Sequence, residues 1–211
     1  MSVDFGHVYR LSVDIETSVK QSGVDNASLY EPPGGVLVWM IVFIEILTFG
    51  AGLGVFLFSG REHAELFTDG RELLNQPLAF ANTLILLSGG WCMVNGLDAL
   101  RQGSTHVASR WIGGAILTGV LFTVLKGVEY ADKFSHGIAF GQDEFFTLYF
   151  ILTGFHLAHV LVAVVLLCFM VMGIRSGKYN AENYFDVESG GVFWHMCDLI
   201  WLLVYPIIYL L

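Results

Sequence analysis

Charged residues are scarce in this sequence of 211 residues, at 14%, against about a quarter in an ordinary soluble domain. Cations are scarcer still. Ten Lys and Arg stand against nineteen Asp and Glu, for a formal net charge of -9, which argues against the basic patch that a nucleic-acid binder needs. Cysteine occurs three times, as Cys92, Cys168 and Cys197, all in apolar stretches and without metal-ligand spacing. A disulfide scaffold is therefore excluded and buried free thiols are expected. Four prolines exclude a collagen, and a hydrophobic share of 55% excludes a disordered chain. There is no glycine loop to cradle phosphate, no nucleophile with a positioned base and no Cys-x-x-Cys-His haem attachment. Axial haem histidines on separate helices have no fixed spacing and stay open.

What the sequence does contain is apolar length. Five runs, 36–59, 77–100, 110–130, 145–173 and 191–211, each meet the roughly 20 residues needed to cross a bilayer. None alternates with a period of two, which argues against a barrel. The expected fold class is an all-α integral membrane protein: five transmembrane helices over 35–211, preceded by a polar tail over 1–34. That tail lacks a basic start followed by an apolar core and cleavage site, so no signal peptide is expected. Its stretch 3–19 fits either a surface helix or a solvated tail. Gly50-x-x-x-Gly54 suits close helix approach. Trp39, Trp111 and Tyr130 fit an interfacial aromatic belt or core packing equally. His63, His106 and His136 fall in loops as ordinary surface residues. Basic flanking residues set orientation: Arg10, Lys20, Arg101, Arg110, Arg175 and Lys178 lie on the N-terminal side, against Arg61, Arg71 and Lys133 opposite. Six against three places the N-terminus inside and the C-terminus outside.

The informative residues are the ionisable ones kept inside the runs, each costing roughly 2.5–3.5 kcal/mol at a helix centre on insertion scales. They are Glu45, Lys126, Glu129, His156, His159, His195 and Asp198, with Asn82, Asn95 and Asp98 on the second helix. Lys126 and Glu129, His156 and His159, and His195 and Asp198 are each three residues apart, on one helical face. Sorted by depth, they predict an outer cluster of Lys126, Glu129, His156 and His159, and an inner cluster of Glu45, His195 and Asp198 with Asn95. Interhelical hydrogen bonding or lipid contact is one reading; zinc or iron binding is the other. The paired Glu-x-x-His pattern of di-iron bundles is absent, which favours the first. Desolvation disfavours a charged carboxyl group, which makes Glu45 a candidate lipid or proton contact.

Five segments resemble subunit III of the haem-copper oxidase superfamily, in that family's order. Phe43-Ile44-Glu45-Ile46-Leu47-Thr48-Phe49 looks like a helix with a carboxylate at lipid depth. Asn82-Thr83-Leu84-Ile85-Leu86-Leu87-Ser88 and Lys126-Gly127-Val128-Glu129-Tyr130 look like the Asn-Thr and Glu-Tyr segments. Thr153-Gly154-Phe155-His156-Leu157-Ala158-His159-Val160 is close to the family's Thr-Gly-x-His-x-x-His-Val. Glu188, with Phe193-Trp194-His195-Met196-Cys197-Asp198-Leu199-Ile200-Trp201, resembles the closing Trp-His-Phe-x-Asp segment. The resemblance implies a non-catalytic subunit that binds no haem or metal itself. It implies packing on a catalytic haem-bearing subunit holding haem with copper or iron, contact with structural phospholipid, and support of proton uptake and stability. By the same resemblance Glu45, Lys126, Glu129, His156, His159, Glu188, His195 and Asp198 are buried polar, lipid or proton contacts, in a multi-pass protein of a bacterial plasma membrane. Full-length members have seven helices; the match here is to the last five, as in quinol-oxidase subunits III and accessory proteins of nitric oxide reductase. Met196-Cys197, Leu157-Ala158 and Gly89-Gly90 depart from the usual pattern. The forms of the His-x-x-His and Lys-Gly-Val-Glu-Tyr segments look more like the nitric-oxide-reductase branch, so nitric oxide and oxygen both stay open as the substrate of the parent complex.

Overall fold

The computed structural model describes residues 32–211; the stretch 3–19, read as a surface helix or a solvated tail, lies outside them. Six helices follow one another: α1 (Gly35–Glu62), α2 (Ala64–Glu72), α3 (Gln76–Arg101), α4 (Thr105–Ser135), α5 (Glu144–Arg175) and α6 (Phe185–Tyr209). All but α2 are long and apolar enough to cross a membrane. Four of the five contain a predicted run whole, and α6 covers its run up to Tyr209, two residues short of the predicted end. At 1.5 Å per residue the 31 residues of α4 reach about 46 Å, past the roughly 30 Å hydrocarbon core.

Local chemistry starts these helices where they start. Asn75 caps α3, its side chain accepting from the Leu78 N–H at 3.0 Å, with Pro77 in the first turn. Asp143 caps α5 by accepting from the Phe146 N–H at 2.7 Å. Asp186 and Glu188 sit in the first turn of α6, where carboxylates complement the helix dipole. This explains why α6 begins six residues before its apolar run.

Helices α3, α4, α5 and α6 close a ring in which each packs on the next and α6 returns to α3, while α1 lies along the α5–α6 edge. Trp194 of α6 is buried where α3 and α4 meet it. A side-chain carbon added at Gly89 would come within 2.7 Å of the Trp194 indole, and one at Gly119 within 2.8 Å. Gly89 on α3 and Gly119 on α4 are thus the small residues that let the Trp194 indole approach both helices closely. Gly50 and Gly54, expected to serve that purpose on α1, face open space. Helix α1 buries only Val42, Phe49, Leu53, Phe56 and Ser59 and exposes most of its apolar surface.

The polar stretch between the first two runs contains α2. Its helicity is a tertiary effect: Phe67 packs edge-on against Phe56 and Phe145, with ring centroids 5.0 and 5.3 Å apart. Its neighbour His63 is exposed, as expected, and its Nδ1 lies 3.0 Å from Glu144 Oε2, a surface contact between the end of α1 and the start of α5.

Candidate functional site

The ring of four helices encloses one ionic centre. Lys126 is fully buried. Its Nζ donates to Glu129 Oε2 at 3.0 Å, to the Tyr149 hydroxyl at 3.1 Å and to the Tyr209 hydroxyl at 2.5 Å. Both tyrosines donate onward to Glu129 Oε1 at 2.8 Å. An ammonium has three donors and no acceptor, so every proton of Lys126 is placed and the pair is neutral. The rings of Tyr130, Tyr149, Trp201 and Tyr209 stand 4.8–5.5 Å from Nζ, close enough for cation–π attraction. Lys126 and Glu129 come from α4, Tyr149 from α5 and Tyr209 from α6, so one charge pair sets the register of three helices. A second hydroxyl pair, Tyr130 with Thr153 at 2.7 Å, joins α4 to α5 beside it. On the other flank the Trp201 indole N–H donates to Thr83 Oγ1 at 2.9 Å, joining α6 to α3.

The histidines separate from one another. His156 is fully buried among aromatic rings, with centroids 5.0 Å from Trp201 and 5.6 Å from Phe122, and neither ring nitrogen has a hydrogen-bond partner among the described residues. His159, one turn on, turns toward α1, and its Nε2 lies 3.2 Å from Glu45 Oε1. Nδ1 of the same ring meets the Phe155 carbonyl at 2.8 Å, a second contact that fixes the imidazole. The expected clusters are therefore corrected. Glu45 pairs with His159 of the other group, because α1 packs on α5 and α6 and His159 is midway along a 32-residue helix. Lys126 and Glu129 are completed by tyrosines and not by histidines.

His195 and Asp198 form a separate pair on the α3–α6 edge, with Nδ1 3.6 Å from Oδ2. Asn95 joins neither group; its side chain donates to the Trp91 carbonyl of its own helix at 2.7 Å. Glu188 sits at the end of the bundle where α6 begins. It binds Arg101 of α3 and accepts from the Gly34 N–H at 3.1 Å, fastening the start of α1. Sequence reasoning missed Tyr149, Tyr209, Arg101 and Lys133. Lys133, buried, donates to the Leu73 carbonyl at 2.6 Å and pins the α2–α3 turn. Spacing held one signal: Tyr149, Thr153 and His156 recur at helical intervals of four and three, marking a polar stripe on α5.

Among the described residues, no three or more His, Cys, Asp or Glu side chains converge as a metal site would require. The bundle thus defines a polytopic membrane protein whose ionisable groups meet in pairs. Residues 69–211 match the family model of cytochrome c oxidase subunit III, and the chain belongs to that family. It is 29% identical to cytochrome c oxidase subunit 3 of Corynebacterium diphtheriae, over 84% of this chain and 88% of the relative. The protein of that name from Thermostichus vulcanus is 26% identical, over 93% of this chain and 96% of its own length. A probable cytochrome c oxidase subunit 3 of Rickettsia bellii is also 26% identical, over 91% of this chain and 74% of its own.

Proposed function

We propose that this chain is a non-catalytic subunit of a haem-copper respiratory complex in a bacterial plasma membrane, packed on the catalytic haem-bearing subunit. The observation that carries this reading is the family match across 69–211, which takes in the whole α3–α6 ring. The sealed ionic centre supports it. A buried pair whose donors and acceptors are all used holds helices together and leaves no group free to attack a substrate. Haem, with copper or iron, belongs to the partner in this reading. The N-terminus lies inside, as the distribution of basic residues favours. The Glu45–His159 pair is a polar contact for protons or a lipid. The apolar groove of about 470 Å³ on α1, lined by Val36, Trp39, Met40 and Phe43, takes phospholipid acyl chains.

Oxygen is the substrate of the parent complex that the relatives' names support. The form of residues 153–160 and 126–130 favours nitric oxide as the second reading. Purification in gentle detergent tests both. A haem-bearing subunit is expected to accompany this chain, and turnover of the complex with oxygen or with nitric oxide chooses between them. If the isolated chain instead carries stoichiometric iron, zinc or copper that is lost on replacement of His156 or His195, it is a metalloprotein in its own right and the proposal fails.

A further inference from the structure

The α3–α6 edge carries polar groups that the described residues leave unmatched. Gly90 on α3 and Asp198 on α6 meet about 20 Å from the start of their helices, near the middle of each. A side-chain carbon at position 90 would collide with the Asp198 carboxylate, so glycine there lets the carboxylate lie against the α3 backbone. Asp198 is only 6% exposed, and its Oδ1 is buried with no hydrogen-bond partner among the described residues. Its Oδ2 lies 3.6 Å from His195, beyond hydrogen-bond range. The His195 side chain is 40% exposed, against 17% and 14% for Glu45 and His159. Beside the pair opens a groove of about 430 Å³, walled by Trp91 and Leu199. It adjoins a second hollow that runs past His195 to Asp98 and Arg101.

Ionisable groups at membrane depth face protein or water-filled cavities, because lipid tails offer them no partner. Lys126, Glu129 and His159 have partners among the described residues, Glu45 has one through Oε1 only, and His156, which has none, is sealed in the core; Asp198 accepts no hydrogen bond on either oxygen and lines an open groove. An acyl chain filling that groove supplies no hydrogen bond, whereas a neighbouring helix does. Because Asp98 is held by Gln102 and Arg101 by Glu188, the group that Asp198 requires is a donor from outside. Resting on the reading of this chain as an accessory subunit, we infer that the α3–α6 edge is the face on which a transmembrane helix of the catalytic subunit docks. That helix presents a hydrogen-bond donor to Asp198 and an apolar side chain to the groove between Trp91 and Leu199.

The test uses the intact complex, with the photo-crosslinking residue p-benzoylphenylalanine placed at Trp91 or Leu199. Leu117 on α4 and Phe169 on α5, both outward-facing, serve as controls. Irradiation is expected to join the haem-bearing subunit to positions 91 and 199 and not to 117 or 169. Adducts from the control positions alone, or only lipid adducts from 91 and 199, overturn the assigned face and leave the subunit reading standing. Failure of the unsubstituted chain to bring down any haem-bearing subunit overturns the reading itself. Asp198→Leu, expressed and folded by thermal midpoint, is expected to retain about three- to twentyfold less partner, the range a hydrogen bond inside a membrane commands. Asp198→Asn, which keeps an acceptor, is expected to hold it. Equal retention by Asp198→Leu overturns the hydrogen bond.

Discussion

Lys126 offers three protons and finds three acceptors, and that match decides what its replacement does. Lys126→Met strands a buried Glu129 carboxylate and is expected to destabilise the bundle by about 3–5 kcal/mol, as breaking one side of a buried pair does. Lys126→Met with Glu129→Gln removes both charges at nearly constant volume and is expected to recover most of that loss. Thermal unfolding of the detergent-solubilised protein measures both, and additive losses in the double-mutant cycle would show that the pair is not coupled. Half of this centre was readable in the sequence, since two opposite charges three residues apart in an apolar run almost dictate each other. Tyr149 and Tyr209 were not readable. A tyrosine in a membrane helix serves core and interface equally well, and these lie 23 and 83 residues from Lys126. Glu45 and His159 were singled out but wrongly grouped, because depth along a helix says nothing about which neighbour it leans on.

At the scale of elements, apolar length revealed five helices and missed the sixth. Helix α2 is held by Phe67 lodged between Phe56 and Phe145, a contact between segments far apart in the chain that no local periodicity announces. Phe67→Ala is expected to cost about 3–5 kcal/mol and to expose the 62–75 backbone to proteolysis; an unchanged cleavage pattern would mean that α2 stands without it. The glycines read the same way. The recognisable spacing at 50 and 54 faces open space, whereas Gly89 and Gly119, which carry no motif, admit Trp194. Gly119→Leu is expected to destabilise by about 1–3 kcal/mol through overpacking. Gly50→Ala is expected to be neutral or stabilising by a few tenths, up to about 1 kcal/mol. Thermal midpoints of the two variants separate the roles, and a larger loss at position 50 would reverse them.

Seen whole, the molecule is a closed ring with a loosely held helix along one edge and a polar seam along another. The proposed inside placement of the N-terminus makes a direct prediction. Gln142→Cys, in the α4–α5 connection, is expected to react with an impermeant maleimide on intact cells, and Gln102→Cys, in the α3–α4 turn, only after permeabilisation. The reverse pattern would turn the bundle over. The placing of the ionic centre also bears on how the chain is made. Helices enter a membrane in order, so α4 is in place before α5 and α6 supply Tyr149 and Tyr209. Lys126 and Glu129 emerge from the ribosome on one turn of one helix, so α4 carries its own counter-charge while it waits. The pair that later fixes three helices in register serves first as a provisional neutralisation, which lets a helix with two opposite charges deep in its apolar run cross before its neighbours exist.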